Sequence, residues 1–275
     1  MNDSYSYHQE TDLPPRSSLT EAVLIVSAIV VLTAFMILPG VTSTWAVCAL
    51  ALLTLVSIVA RFIQATHVSL FCLLWATLPL AIPGLHSWPK TLLVPITIYG
   101  LIVAIIPSLR RSILWSHVGH LNSNILILTV LTIVVSSLAL VGWYVLLKPE
   151  IDLHVTIIPR MPAWLLPAAG LSFALCNAAM EEMAFRGIIM QALDSALGTG
   201  HVSIMIQAVS FAAFHYLAGI PNGVFGFVMV FAYGLMLGIL RRYSHGILAP
   251  WLAHVAADLT IFSVLAATLL VTSAT

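Results

Sequence analysis

The feature that most constrains this chain is a series of nine apolar runs, near residues 22–39, 43–60, 68–85, 91–108, 124–147, 163–190, 203–217, 223–240 and 247–271. A helix crossing the hydrocarbon layer takes about 20 apolar residues. In lipid every backbone N–H and C=O must find its partner within the protein, so only helices and closed barrels can span. No run alternates apolar and polar residues over the length a barrel strand needs. The expected fold class is therefore all-α, a polytopic transmembrane bundle of about eight or nine spans. Composition agrees: 61% of the residues are hydrophobic and 7% charged, against roughly 25% charged in soluble domains.

The formal net charge is zero and no basic cluster is present, so nothing grips phosphates and no nucleic-acid partner is expected. Cys48, Cys72 and Cys176 lie inside apolar runs without CxxC spacing, and are expected to be packing residues rather than disulfide or metal ligands. Residues 1–20 are polar and carry Asp3, Glu10 and Asp12. That charge is wrong for the start of a cleavable signal peptide, so the first run should remain as an anchor behind a cytoplasmic tail.

Arg16, Arg61, Arg110, Arg111, Arg241 and Arg242 fall on one side of the membrane, and Lys90, Lys148 and Arg160 on the other. The positive-inside rule then places the N-terminus in the cytoplasm. Nine spans would put the C-terminus outside. The runs 68–85, with Pro79 and Pro83, and 91–108, with Pro95, are the pair on which that count turns.

Residues 21–162 read as scaffold helices, with charges only at their loop edges. From 163 to 272 the pattern changes, because Glu181, Glu182, Arg186, His215, His254 and Asp258 interrupt otherwise apolar helices. A charge at the bilayer centre costs about 2.5–3.5 kcal/mol on insertion scales, so each needs a partner or a wet cavity. Arg186 follows Glu182 by four residues, in the favourable order for an ion pair on one helical face. Glu181 points about 100° away from that face and has no charge partner on its own helix. Asn177, one turn earlier, can donate a hydrogen bond to it or can serve packing alone.

His215 ends the segment FAAFH, and His254 precedes Asp258 by one turn in HVAAD. At 1.5 Å per residue the two histidines lie roughly 18 and 10 Å in from the cytoplasmic helix starts. Glu181 reaches a similar depth if its helix continues through GIIMQAL. Two histidines and an uncompensated glutamate on three helices point to one shared site.

A carboxylate in a low-dielectric site becomes a better base, and beside an imidazole it can orient and deprotonate a water for attack on a carbonyl. Glu181 with His215 suits that task, and His254 with position 258 could serve a developing oxyanion. Glu181, His215, His254 and Asp258 equally suit a zinc or other divalent site with an open position for water. An ionised Asp258 would repel an oxyanion unless bonded to His254, yet would ligate a metal well. The sequence leaves both versions open, with no cofactor certain. The membrane-protease patterns HExxH, GxGD and GxSxG are absent.

EEMAFRG at 181–187, FAAFH at 211–215 and HVAAD at 254–258 together resemble the CAAX-protease and bacteriocin-processing family, the glutamic-type intramembrane proteases, whose pattern runs EExxxR, FxxxH, then HxxxN or HxxxD. The stretch GLMLGILRRYSHGILAPWLAHVAAD is similar to the family's approach to its last motif. The resemblance covers about 163–272 and implies that this is the catalytic core. It implies that Glu181 and His215 activate water, that His254 and Asp258 stabilise the oxyanion, and that Glu182 and Arg186 brace the site, with Asn177 in support. It further implies a hydrophobic or lipidated peptide or protein substrate in the bilayer. CAAX trimming, bacteriocin processing and surface-protein sorting are the associated activities. Short loops suggest a compact type from a prokaryotic cell membrane. A catalytically silent scaffold or bacteriocin-immunity protein keeps the same fold, and a transporter would use Glu181 and Asp258 as relay groups. Intact Glu181 and both histidines speak against the first, and the want of inverted repeats against the second.

Overall fold

The computed structural model describes residues 17–38, 43–156, 158 and 161–274. Most of the polar tail, including Asp3, Glu10, Asp12 and Arg16, and also Arg160, lie outside the described residues. The described chain is helical throughout: α1 Leu19–Ile37, α2 Ser43–Val59, α3 Ile63–Ala81, α4 Lys90–Ile105, a short α5 Pro107–Arg111, α6 Ser123–Leu147, a single turn α7 Asp152–Val155, α8 Leu166–Glu182, a π-helical segment Met183–Ile189, α9 Met190–Leu197, α10 His201–Ala218, α11 Gly223–Ser244 and α12 Leu248–Ala274. From Ala163 to Leu197 the chain is one continuous helical span.

Among the described residues six helices are long and apolar enough to cross a membrane, and Ser43–Val59, Lys90–Ile105 and His201–Leu217 are shorter apolar helices. Large apolar side chains cover the outside, among them Leu138, Leu146, Val59 and Ile105. Such a surface belongs in lipid, so the protein is an integral membrane protein. α3 begins earlier than its run and ends at Ala81, since Pro83 cannot carry the helix on. The run expected to end at 190 continues to Leu197. Its polar residues there are matched: Asp194 holds Arg242 of α11 in a bidentate pair at 2.7 and 3.0 Å. Gln191 Nε2 donates to Gln64 Oε1 at 2.9 Å, and Gln191 Oε1 accepts from the backbone of Leu114 and Trp115.

The N-terminal helices share a core with the polar-bearing ones. Ile25, Phe71, Trp75 and Tyr99 are buried in the same cluster as Phe185, Ile188 and Phe211. Phe185 is the hinge of this contact, its ring 5.8 Å from Trp75 and 4.9 Å from Phe211. Glu21 ties the start of α1 to that of α3 by accepting from the backbone N–H of Gln64, a favourable place for a carboxylate. Cys72 is buried as expected, whereas Cys48 and Cys176 lie on the outer surface and do not pack in the core.

α11 approaches α10 closely because Gly234 and Gly238 stand one turn apart on the contact face, the small-xxx-small arrangement of membrane helices. A Cβ at Gly234 would come within 3.1 Å of the Ala208 backbone. Gln207 Nε2 donates across the gap to the Gly234 carbonyl at 2.8 Å. α12 packs against α6 and α8, with hydroxyl pairs Ser137–Thr260 at 3.0 Å and Tyr144–Thr268 at 2.9 Å. The turn before α12 is clasped by the loop before α6. His120 N donates to Ser244 O and Ile247 N to His117 O, both at 3.0 Å. Gly119 sits against Gly246 so closely that any Cβ there would meet backbone atoms at 2.5 Å.

Candidate functional site

Three helical spans bring the polar residues together. Glu181 and Glu182 end α8, Arg186 lies in the π-helical segment, His215 occupies the last turn of α10, and His254 and Asp258 lie one turn apart on α12. π-helical turns recur at functional sites. This one follows the two glutamates directly. It contains no proline.

Glu182 and Arg186 form the expected ion pair, Arg186 Nη1 donating to Oε1 at 2.9 Å with both side chains fully buried. The guanidinium carbon lies 4.3 Å above the Phe211 ring, a favourable cation–π position. The same Glu182 Oε1 also accepts from His254 Nδ1 at 2.7 Å. Glu182 therefore sets the tautomer and the ring orientation of His254, a link that no spacing along the chain announces. With Nδ1 so occupied, His254 Nε2 faces Glu181 Oε2 at 3.4 Å and Asp258 Oδ1 at 3.8 Å.

His215 is oriented by its own helix. Nδ1 donates to the Phe211 carbonyl one turn back at 3.0 Å. Nε2 is left facing Glu181 Oε2 at 3.9 Å, too far for a direct hydrogen bond and close enough for one water to touch both. Gly219 permits this placement, since a Cβ there would lie 2.6 Å from His215 Cβ and Cδ2. Glu181 Oε2, the oxygen facing both imidazoles, is buried and without a hydrogen-bond partner.

Asn177 makes the bond to Glu181 that the sequence left open, Nδ2 to Oε1 at 3.2 Å, and a second to Asp258 Oδ2 at 3.0 Å. One amide thus joins the two carboxyl groups from α8 to α12. Asp258 is bonded to Asn177 rather than to His254.

Phe211, His215, Tyr233, His254 and Asp258 line a cavity of about 280 Å³ between α6, α10, α11 and α12, whose remaining wall is apolar apart from Ser136, as at Leu140 and Met236. Glu181 is not itself a wall residue. It lies directly behind the two histidines. Tyr233, from the middle of α11, was not singled out by motif. Its only signal in the sequence is a hydroxyl in an otherwise apolar stretch.

Residues 162–260 match the family model described as type II CAAX prenyl endopeptidase Rce1-like. The likeness to the Rce1-like family covers this segment. The match begins just before α8 and runs two residues past Asp258, so it contains all three motifs and every residue of the cluster. In general terms the segment is that of a CAAX-type intramembrane protease. No curated protein and no solved structure matches the chain.

Among the described residues no group of three or more His, Cys, Asp and Glu side chains is disposed to hold a metal ion. Several of the oxygens and nitrogens that would ligate one are committed to each other, Glu181 Oε1 and Asp258 Oδ2 to Asn177 and His254 Nδ1 to Glu182. No step below runs through a metal.

Proposed function

We propose that this protein is an intramembrane endopeptidase that hydrolyses a peptide bond in a hydrophobic or lipidated membrane-associated peptide, with Glu181 and His215 activating the water. The observation that carries the reading is Glu181 Oε2, a buried carboxylate oxygen without a partner that faces the Nε2 atoms of both His215 and His254. A water bridging Glu181 Oε2 and His215 Nε2, 3.9 Å apart, would stand behind the cavity wall that His215 forms. The apolar wall suits an aliphatic or isoprenoid segment, and the polar residues gather on one side where a backbone carbonyl can be presented.

In the reaction Glu181 takes a proton from the water, and the oxygen adds to the carbonyl carbon. The carbonyl oxygen becomes an oxyanion beside His254. Glu181 then returns the proton to the leaving nitrogen, the C–N bond breaks, and a carboxylic acid and an amine depart. Glu182, Arg186 and Asn177 hold His254, Glu181 and Asp258 in place.

The test uses the full chain reconstituted in phospholipid vesicles with a library of C-terminal peptides, each offered with and without an isoprenyl thioether. Glu181→Gln, His215→Ala and His254→Ala should each slow cleavage by about 10²–10⁴-fold while leaving the protein inserted and folded. Cleavage by Glu181→Gln at the wild-type rate would sink the mechanism. Chelators should leave the rate unchanged, and a metal bound stoichiometrically and needed for turnover would replace the glutamate version by the metal one. An inactive wild type that still retains peptides would point to the scaffold or immunity role.

A further inference from the structure

One polar group on the cavity wall has no part in the reaction just described. Tyr233 extends from α11 with its ring perpendicular to that of His254, centroids 5.7 Å apart and planes at 89°. Its hydroxyl is buried and has no hydrogen-bond partner. It lies within electrostatic reach of Glu182, Asp258, Arg186 and Glu181. A buried hydroxyl left unpaired costs about 1–3 kcal/mol, so its presence on a cavity wall calls for a reason.

The chemistry of the wall supplies one. An oxyanion needs N–H or O–H donors aimed at it. Asp258 in its ionised form accepts only, and its Oδ2 is already engaged by Asn177. His215 has its one N–H on Nδ1 turned back to the Phe211 carbonyl. Of the polar side chains lining the cavity, Ser136 Oγ donates to the Ile133 carbonyl, and His254, whose Nδ1–H is held by Glu182, has a second N–H at Nε2 only when its ring carries both protons. The Tyr233 hydroxyl is then the donor left free for a carbonyl oxygen. The close approach of α11 at Gly234, whose Cβ would lie 3.3 Å from Phe211 Cδ1, holds Tyr233 against this wall.

We propose that Tyr233 is a catalytic residue, its hydroxyl donating to the oxygen of the scissile carbonyl and strengthening that bond as the oxygen becomes an oxyanion. It keeps its proton throughout, since the proton of the attacking water travels by Glu181. The inference rests on the hydrolytic reading above.

Tyr233→Phe keeps the ring and its packing and deletes only the donor. In reconstituted full-length protein, kcat should fall about 10²-fold with KM unchanged and the unfolding temperature no lower than that of the wild type. A peptide bearing a tetrahedral phosphinate at the scissile position should bind the variant more weakly by a similar factor, while the intact peptide binds Glu181→Gln and Glu181→Gln/Tyr233→Phe equally. Wild-type kcat in Tyr233→Phe, or a loss appearing in KM alone, overturns the inference. A silent Glu181→Gln beside a fully active Tyr233→Phe removes only the role of Tyr233. If Glu181→Gln cleaves as the wild type does, or if the wild type cleaves nothing, the hydrolytic reading fails and this inference with it.

Discussion

Replacing Arg186 by methionine separates the two halves of a charge pair that is fully buried. Arg186 and Glu182 are both fully buried and 2.9 Å apart. Taking away the guanidinium leaves a carboxylate in a low-dielectric interior whose other partner is the His254 Nδ1–H. Breaking a buried pair in this way costs about 3–5 kcal/mol. Loss of the contact with the Phe211 ring, 4.3 Å away, adds about 0.5–2 kcal/mol. Methionine refills much of the volume, so the cavity term is small. Glu182→Gln/Arg186→Met removes both charges while Gln Oε1 still accepts from His254, and should recover more than half of the loss. The assay is reversible unfolding in mixed micelles for the wild type, both single variants and the double variant. A single variant within about 1 kcal/mol of wild type, or a double variant no more stable than Arg186→Met, would refute the reasoning.

Gly219→Ala should place a methyl group 2.6 Å from His215 Cβ and Cδ2, turning the imidazole and lowering kcat by about 10²-fold in a protein that still inserts and folds. Asp194→Asn breaks the bidentate clasp between α9 and α11 and should cost about 1.5–3 kcal/mol, read as a lowered unfolding midpoint. In the turn between α11 and α12, partial burial first, then the neighbouring His120, Arg241 and Arg242, hold His245 below its ordinary pKa. Protonation therefore favours the open turn: its clasp is fully present above about 6.5, the unfolded-state value, and weakens as pH falls below it. Lower protection factors at Ile247 and His120 at pH 5 than at pH 7.5, with the intrinsic exchange rate at each pH divided out, are the expected result, and His245→Asn, which tolerates the left-handed backbone of this position (φ 51°), should flatten the difference.

Among the described residues the six long and three shorter apolar helices were legible because lipid leaves an apolar run few choices. The Glu182–Arg186 pair was legible too, since a four-residue spacing is a local rule. What escaped depended on other helices. The extension of the sixth run past residue 190 is decided by Arg242 and Gln64, which satisfy Asp194 and Gln191 from far along the chain. The bond from His254 to Glu182 spans 72 residues, and the second bond of Asn177 spans 81. The π-helical segment contains Gly187 but no proline, and one glycine inside an apolar run does not mark a π turn. Tyr233 stayed hidden because a tyrosine in an apolar helix has the composition of packing, and only its unpartnered hydroxyl beside His254 distinguishes it.

Asp258 is where the two chemistries left open by the sequence part. Its Oδ2 accepts from Asn177 at 3.0 Å and its Oδ1 stands 3.8 Å from His254 Nε2, so the side chain is anchored on one oxygen and faces the cavity with the other. Asparagine at this position can keep the anchored oxygen and present an amide N–H where Oδ1 now stands. In a metal site that exchange removes an anionic ligand and should cost cleavage and metal together. In the glutamate mechanism it leaves Glu181 and His215 untouched and adds a donor near the oxyanion. Asp258→Asn should therefore cleave within about tenfold of wild type, the scale of one neutral hydrogen bond, and should partly rescue Tyr233→Phe by supplying the donor which that variant lacks. A folded Asp258→Asn protein with no detectable turnover would show that the charge at 258 is itself required, and would return the site to a metal or to a second carboxylate base.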